Sequence, residues 1–279
     1  LEVINTTAAL KMRLQPIISA QKKVALVPTM GALHKGHVSL IQLAKLQSDV
    51  VVCSIFVNPT QFTDPKDLEK YPRPLEHDIQ MLQDAGCDVV FMPSVTEMYP
   101  KPENWHIDLG PAEFLLEGEF RRGHYQGVTQ IVKKLFDAVQ PKVAYFGQKD
   151  FQQVLMIETM VRHFNLAIQI VSCPIIREDD GLAMSSRNIH LSPVDRKNSL
   201  ILSKALTYVA ENFKKRTVPV LLEHARKLIE DTPGVELDYF TIANGSTLLP
   251  ETDKSAPNIV ALVAAKVGET RLIDNMLLH

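Results

Sequence analysis

VALVPTMGALHKGHVSLIQLAK, residues 24–45, carries the chain through one complete structural unit. It opens with a short apolar run, Val24 to Pro28, of strand length. A glycine-bearing loop follows. After it Val38, Ile41 and Ala44/Lys45 recur at helical spacing. In open α/β sheets, ligands bind outside the carboxyl end of a strand at such a loop. Gly31 and Gly36 have the G-x-x-x-x-G spacing of a phosphate loop, but His37 and Val38 stand where its Lys and Ser/Thr belong. The lysine for the β/γ-phosphates and the hydroxyl for Mg²⁺ are therefore missing. Three readings stand: a degenerate phosphate loop, a coincidence of two glycines, or another way of holding a nucleotide.

The alternation continues on both sides. SDVVVCSIFV (48–57) is a second buried strand, and PLEHDIQMLQDAG (74–86) is a helix with Leu75, Ile79 and Leu82 on one face and Gly86 as its stop. CDVVFMP (87–93), KVAYFG (142–147) and LAIQIVSCPI (166–175) read as strands. HYQGVTQIVKKLFDAVQ (124–140) and DFQQVLMIETMVRHFN (150–165) read as helices. Continuous apolar strands separated by amphipathic helices predict an α/β fold: a Rossmann-like, doubly wound parallel sheet covered on both faces. After Ile176 the character changes. A helix over 192–215, with Ser192 as N-cap and Pro193 at its first position, is followed by a helix over 219–230. Strand-like stretches at 235–243 and 258–267 and a last apolar segment, TRLIDNMLL, come after them. The expected division is a Rossmann-like domain over 1–176 and a smaller α+β domain over 177–279.

Composition narrows the function classes. The chain has 279 residues, 46% hydrophobic and 22% charged, the balance of a globular protein with an ample core. Thirty Lys+Arg against 32 Asp+Glu give a net charge of −2, which argues against a broadly basic nucleic-acid binder. Cys53, Cys87 and Cys173 are far apart, with no C-x-x-C pair, so neither a zinc site nor a disulfide framework is expected. Each sits in an apolar run as a small buried residue, in keeping with a reducing, cytoplasmic setting. The first twenty residues lack a signal-peptide core, and no apolar run approaches the ~20 residues that cross a bilayer.

Four polar motifs stand at loops. PTMGALHKGH places His34 and His37 three apart at a helix start, where free N–H groups and the helix dipole attract phosphate. A glycine turn with two exposed histidines is the plainer alternative. FVNPTQF sets the amides Asn58 and Gln61 at the end of the second strand, or is simply an Asn-Pro turn. YFGQKDFQQ puts Lys149 at a helix start, against the dipole, which hints at an anion there; Asp150 and Gln153 follow. A solvated lysine with Asp150 as cap is the alternative. REDDGLAMSSRN gathers Ser185, Ser186, Arg187 and Asn188 at the domain boundary, as phosphate ligands or as a polar linker.

HKGH and MSSRN together resemble the HxGH and KMSKS-type signatures of the nucleotidyltransferase superfamily. PTMGALHKGH, FVNPTQF, YPRPLEHD, GHYQGV, FGQKDFQQ and REDDGLAMSSRN, in this order, closely resemble the pantoate–β-alanine ligase family, and DYFTIANGSTL (238–248) extends the likeness. The chain departs from the family pattern at Arg122, before Gly123-His124 where Arg-Pro-Gly-His is usual, and at Gln148, where Glu is usual. The resemblance implies ATP-dependent condensation of pantoate with β-alanine through a pantoyl adenylate, releasing AMP and pyrophosphate. It implies ATP held by Met30, Gly31, Ala32, Leu33, His34, Lys35, Gly36 and His37, by Gly147, Gln148, Lys149, Asp150 and Ile176, and by Met184, Ser185, Ser186 and Arg187. Catalysis falls to His34, His37, Lys149, Ser185, Ser186 and Arg187. Pantoate would meet Asn58, Gln61 and Gln153, and β-alanine Gln61. Mg²⁺ would bridge the ATP phosphates, with Asp78 as a candidate contact. A homodimer is implied, and so is a second domain that closes over the active site, with Gly181 as a permissive point for the movement. The rivals are a nucleotidyltransferase acting on a phosphorylated acceptor and a nucleotide-sensing module. The neutral glutamines speak against the first, and the cluster of cations against the second.

Overall fold

In the computed structural model, which describes residues 1–279, Val24–Thr29 (β2) and Val50–Ile55 (β3) pair in parallel, with Val24 opposite Val50 and Thr29 opposite Ile55. They belong to a six-stranded sheet in the order β1-β4-β3-β2-β5-β6, with β1 at Glu2–Ile4, β4 at Val89–Phe91, β5 at Val143–Gly147 and β6 at Gln169–Cys173. Every pairing in it is parallel. The helices are α1 (Thr7–Ser19), α2 (Lys35–Gln47), α4 (Leu75–Asp84), α7 (His124–Val139) and α8 (Phe151–His163), with short helices α3 (Pro65–Lys70), α5 (Val95–Met98) and α6 (Glu117–Phe120) between them. Such a sheet is apolar on both sides, which is why its strands read as unbroken apolar runs. Ala25, Val27, Val51, Cys53, Val90 and Val143 form one layer of the core with Ile41 and Ala44 of α2 and Leu82 of α4.

β1, α1 and the short helices α3, α5 and α6 were not anticipated from the sequence. β1 has three residues, too few for a pattern. α1 is built from good helix formers, Ala8 to Gln15, but it buries only Leu10 and Leu14 and holds Pro16 in its interior, so no sustained apolar face marks it.

The strand order has one switch. From β2 the chain moves outward through β3 and β4, then returns as β5 on the other side of β2. Ligands in open α/β sheets sit at such a switch, beyond the carboxyl ends of the strands. The loop after β2 is the HKGH loop.

The chain forms two compact units, Leu1–Gly147 with Gln153–Pro174, and Gln148–Gln152 with Ile175–His279. The second contains α9 (Pro193–Asn212), α10 (Val218–Glu230) and an antiparallel sheet in the order β7-β8-β9, with strands Val235–Asn244, Ile259–Val267 and Thr270–Leu278. Leu202, Leu206, Val209, Leu221 and Ile229 of its helices pack on Phe240, Ile242, Val263 and Leu272 of the sheet. Ser192 caps α9 by accepting from Asp195 N–H, with Pro193 at the first helical position. Residues 148–152, which the sequence reading assigned to the first domain, group with this second unit, where Asn275 of β9 donates to the carbonyls of Gln148 and Lys149.

One close approach in the first unit sets a local geometry. A Cβ at Gly127 of α7 would stand 2.3 Å from Thr60 O and 2.7 Å from Gln61 N. Only glycine lets α7 meet the Pro59–Gln61 turn at this distance. Gly127→Ala is expected to cost about 1–3 kcal/mol by overpacking, read as a lower thermal midpoint. A variant that melts with the parent would show that the turn yields without strain.

Candidate functional site

The loop after β2 turns sharply. Gly31 has φ +78° and Ala32, which has a side chain, has φ 51°. The left-handed region is costly for residues other than glycine, so this turn needs outside support. Asp78 of α4 provides it: Ala32 N–H donates to its Oδ2 at 2.8 Å and Leu33 N–H to its Oδ1 at 2.7 Å. Thr29 Oγ1 accepts from Gly31 N–H at 3.2 Å and donates to Ser54 O at 2.7 Å. A Cβ at Gly31 would stand 2.9 Å from Asp78 Oδ2, so the carboxylate and the glycine are fitted to each other.

The turn delivers His34 as the N-cap of α2. His34 Nδ1 accepts from Gly36 N–H at 3.2 Å, and His37 Nδ1 accepts from His34 N–H at 3.3 Å. This is a capping box made of two imidazoles. Accepting through Nδ1 places the proton of each neutral ring on Nε2. Both rings thus carry an N–H donor on the atom farthest from the backbone. The ring centroids lie 4.1 Å apart, and both residues are half-buried. Lys35, the first residue of α2, is exposed.

Asn58 is 1% exposed and uses its whole amide inside the protein. Its Nδ2 donates to Gln61 Oε1 at 3.1 Å and to Gly127 O at 3.0 Å. Its Oδ1 accepts from Tyr99 O–H at 2.7 Å and from Thr60 Oγ1 at 3.1 Å. An amide offers two donors and two acceptor positions, and all four are filled. Asn58 therefore orients Gln61, with its own amide fully engaged inside the protein. Gln61, with its Oε1 held by Asn58, turns Nε2 toward Met30 Sδ at 3.1 Å. His124 Nδ1 holds Gln61 O at 2.8 Å. Burial pushes the Tyr99 hydroxyl up to about 12, with Thr60 pulling it back, so Tyr99 stays a neutral donor to Asn58. Gln153, on α8, is half-buried.

In the second unit, Gln148–Asp150 form a 3₁₀ turn that runs into α8. The Lys149 side chain is 18% exposed, and its Nζ lies 3.8 Å from Asp150 Oδ1. Gln148 Nε2 donates to Asn275 Oδ1 at 3.1 Å, a bond that a carboxylate at position 148 has no proton to make. The 176–184 segment is a braced hairpin: Met184 N–H donates to Ile176 O at 3.0 Å, Glu178 N–H to Leu182 O at 2.8 Å, and Gly181, with φ +95°, makes its turn. Arg177 grips Asp274 of β9 through two nitrogens, at 2.6 and 3.0 Å, and also donates to Gly181 O at 3.1 Å. Burial pushes the Asp274 carboxyl up from its ordinary range, while Arg177, the Asn275 N–H and Lys149 pull it back. Ser185 caps the short turn Ser186–His190, its Oγ accepting from Arg187 N–H at 3.3 Å. Ser186 and Arg187 follow in that turn, half-buried.

Asp78, the candidate Mg²⁺ contact, serves the loop instead. Both of its oxygens are engaged by backbone N–H groups and the residue is 1% exposed. No group of three or more His, Cys, Asp or Glu side chains able to hold a metal ion occurs. The residues do not fit a magnesium ion held by the protein. All three cysteines are buried, and burial raises their thiols, Cys87 and Cys173 to about 11. They are inert packing residues. No helix is long and apolar enough to cross a membrane.

Sequence reasoning missed Tyr99, Thr60, His124 and Gly127 behind Gln61, and Asp274 and Asn275 behind Arg177 and Lys149. A polar Asp-Asn pair between the apolar runs Leu272-Ile273 and Met276-Leu277-Leu278 was the available signal for the last two.

Comparison with known proteins matches residues 2–277 to the family described as pantoate-beta-alanine ligase. A pantothenate synthetase of Bacteroides thetaiotaomicron is 47% identical over 277 residues, spanning 99% of this chain and 98% of that protein. One from Acetivibrio thermocellus is 44% identical across the whole of both chains. Among solved structures, pantothenate synthetase from Thermus thermophilus superposes with a TM-score of 0.94 at 41% identity, over 99% of each chain. The Francisella tularensis pantoate-beta-alanine ligase, complexed with beta-gamma ATP and beta-alanine, gives 0.80 at 33% identity, over 99% of this chain and 97% of that one.

Removing the Asp78 carboxylate would leave two buried N–H groups unpaired in a strained turn. At about 1–3 kcal/mol for each unsatisfied group, Asp78→Ala should lower stability by roughly 2–6 kcal/mol. Urea denaturation would measure the loss, and faster amide exchange at Ala32 and Leu33 would locate it. Parental stability with unchanged exchange would show that the loop holds its own shape.

Proposed function

The chain belongs to the pantoate–β-alanine ligase family, and on that premise we propose how its residues carry out the ATP-dependent condensation of pantoate with β-alanine to pantothenate. In the first step a pantoate carboxylate oxygen attacks the α-phosphorus of ATP, and the bond to pyrophosphate breaks. In the second the β-alanine amine attacks the acyl carbon, the acyl C–O bond breaks, AMP leaves, and the amine proton passes to solvent.

The nucleophile of the first step is already an anion, so the chain has little need of a strong base. What the step requires is positive charge and hydrogen-bond donors on a crowded phosphorus and a departing pyrophosphate. The observation that carries the assignment is the reciprocal histidine cap. With both Nδ1 atoms accepting from the backbone, His34 and His37 present Nε2–H donors in fixed orientation. These donors go to the reacting phosphates, and residues 30–36 line the nucleotide. Lys149 and Arg187 supply charge to the phosphates, with Ser185 and Ser186 as hydroxyl donors. Gly147, Gln148, Asp150, Ile176 and Met184 complete the nucleotide contacts. Magnesium accompanies ATP as part of the substrate.

Gln61 offers its Nε2 donor to pantoate, and Gln153 pairs with the same acid. Neutral amides bind a carboxylate nucleophile without neutralising it. A site built for hydroxyls also rejects acids that lack them, because its own polar groups would be left unpaired. Asn58, with its amide filled, keeps Gln61 turned the right way.

Purified enzyme given Mg-ATP and β-alanine should release AMP and pyrophosphate only when pantoate is added. His37→Ala should lower kcat by roughly 10²–10⁴-fold, the scale for loss of a positioned donor, with the protein still folded and only the small drop in melting temperature that loss of one helix-cap bond brings. Nucleotide cleavage without pantoate would contradict the reaction. Near-parental turnover in the variant would reduce His37 to a helix cap.

A further inference from the structure

We propose that Asn275, on the edge strand of the second unit, is the positioning residue that sets Lys149 for phosphate stabilisation. Three observations converge on it. Its Nδ2 donates to two consecutive main-chain carbonyls, Gln148 O at 3.0 Å and Lys149 O at 2.9 Å. Its Oδ1 accepts the Gln148 amide at 3.1 Å, closing the contact from the other side. The residue itself cannot drift, since it is 1% exposed and its own N–H donates to Asp274 Oδ1 at 2.8 Å.

The geometry explains why a strand residue should matter to a loop lysine. The 148–150 turn has only three residues. Pinning the carbonyls of 148 and 149 fixes the Cα from which the lysine side chain extends. A cation that must meet charge developing on phosphate is useful only if it is in place beforehand. Asp274, next to Asn275, is the partner of Arg177, which also holds Gly181 O. One dipeptide of β9 therefore anchors both the lysine turn and the hairpin that leads to Ser185–Arg187. Neither anchor lies near its loop in sequence: Asn275 is 126 residues from Lys149, and Asp274 is 97 from Arg177.

The proposal rests on the reading that Lys149 acts on the ATP phosphates, and the test separates the two. Pantoate-dependent ATP–pyrophosphate exchange reports adenylate formation, and amide formation from preformed pantoyl adenylate reports the second step. Asn275→Ala should lower the exchange kcat by roughly 10–10²-fold, the cost of about an ångström of misplacement. The second step and the KM for β-alanine should stay parental. In Lys149→Ala the same exchange should fall further than in Asn275→Ala while remaining measurable, and Asn275→Ala/Lys149→Ala should be no slower than Lys149→Ala alone, because a positioned group that is absent cannot be mispositioned. A purely structural Asn275 would instead slow both steps and multiply the Lys149→Ala defect, which overturns the proposal. Parental exchange in Asn275→Ala beside a damaged Lys149→Ala also overturns it, leaving the role of Lys149 intact. Parental exchange in Lys149→Ala would refute that role, and the proposal with it. If the alanine variant is not recovered folded, Asn275→Ser, with one donor in place of two, carries the same test with the same outcomes.

Discussion

Two backbone N–H groups, on Ala32 and Leu33, must find an acceptor in a turn that water does not reach, and the Asp78 carboxylate accepts both. The rest of the histidine site depends on this pairing. Without it the turn at Gly31 and Ala32, both at positive φ, would have little to hold it. The start of α2 would then be free to shift, and the cap that fixes the tautomers of His34 and His37 would shift with it. A carboxylate is suited to the task because it accepts on two oxygens and bonds N–H groups more strongly than a neutral acceptor does. Its charge serves the scaffold and not a cation.

The same pattern recurs in each of the two units. Side chains that look free to bind ligand are often occupied in aiming a neighbour. Asn58 commits its amide to Gln61, Gly127, Tyr99 and Thr60, and by taking Gln61 Oε1 it decides which end of that glutamine remains to donate. Asn275 commits its amide to the turn that carries Lys149. Fully satisfied buried amides act as rigid spacers, since moving either end leaves a polar group unpaired. The groups assigned to chemistry are carried by loops and helix starts, while the groups that aim them belong to buried helix, strand and turn positions.

Much of the fold was legible because a parallel sheet covered on both faces must be built from unbroken apolar runs. VALVP, SDVVVCSIFV and KVAYFG announce themselves in this way. β1 and α1 stayed silent, one for its three residues and the other for its lack of a sustained apolar face and its internal proline. The histidines, the lysine and the MSSRN hydroxyls were legible as polar groups concentrated at loops. What each does was not, because it depends on partners far along the chain. Asp78 suggested a metal contact until its oxygens were found on amides 45 and 46 residues away. Asn58 suggested a ligand contact, and nothing local shows that its oxygen also accepts from Tyr99, 41 residues on. TRLIDNMLL reads as one apolar segment, and only pairing in three dimensions shows why two polar residues interrupt it.

In the mechanism proposed above, these donors promote attack of a carboxylate oxygen on the α-phosphorus of ATP. Pantoate labelled with ¹⁸O in both carboxylate oxygens tests this most directly. Mass spectrometry of the products of complete turnover should find one labelled oxygen in the phosphate of AMP and one in the new amide. Unlabelled AMP, with the label in inorganic phosphate or solvent, would contradict the adenylate route and the roles assigned to the residues around it.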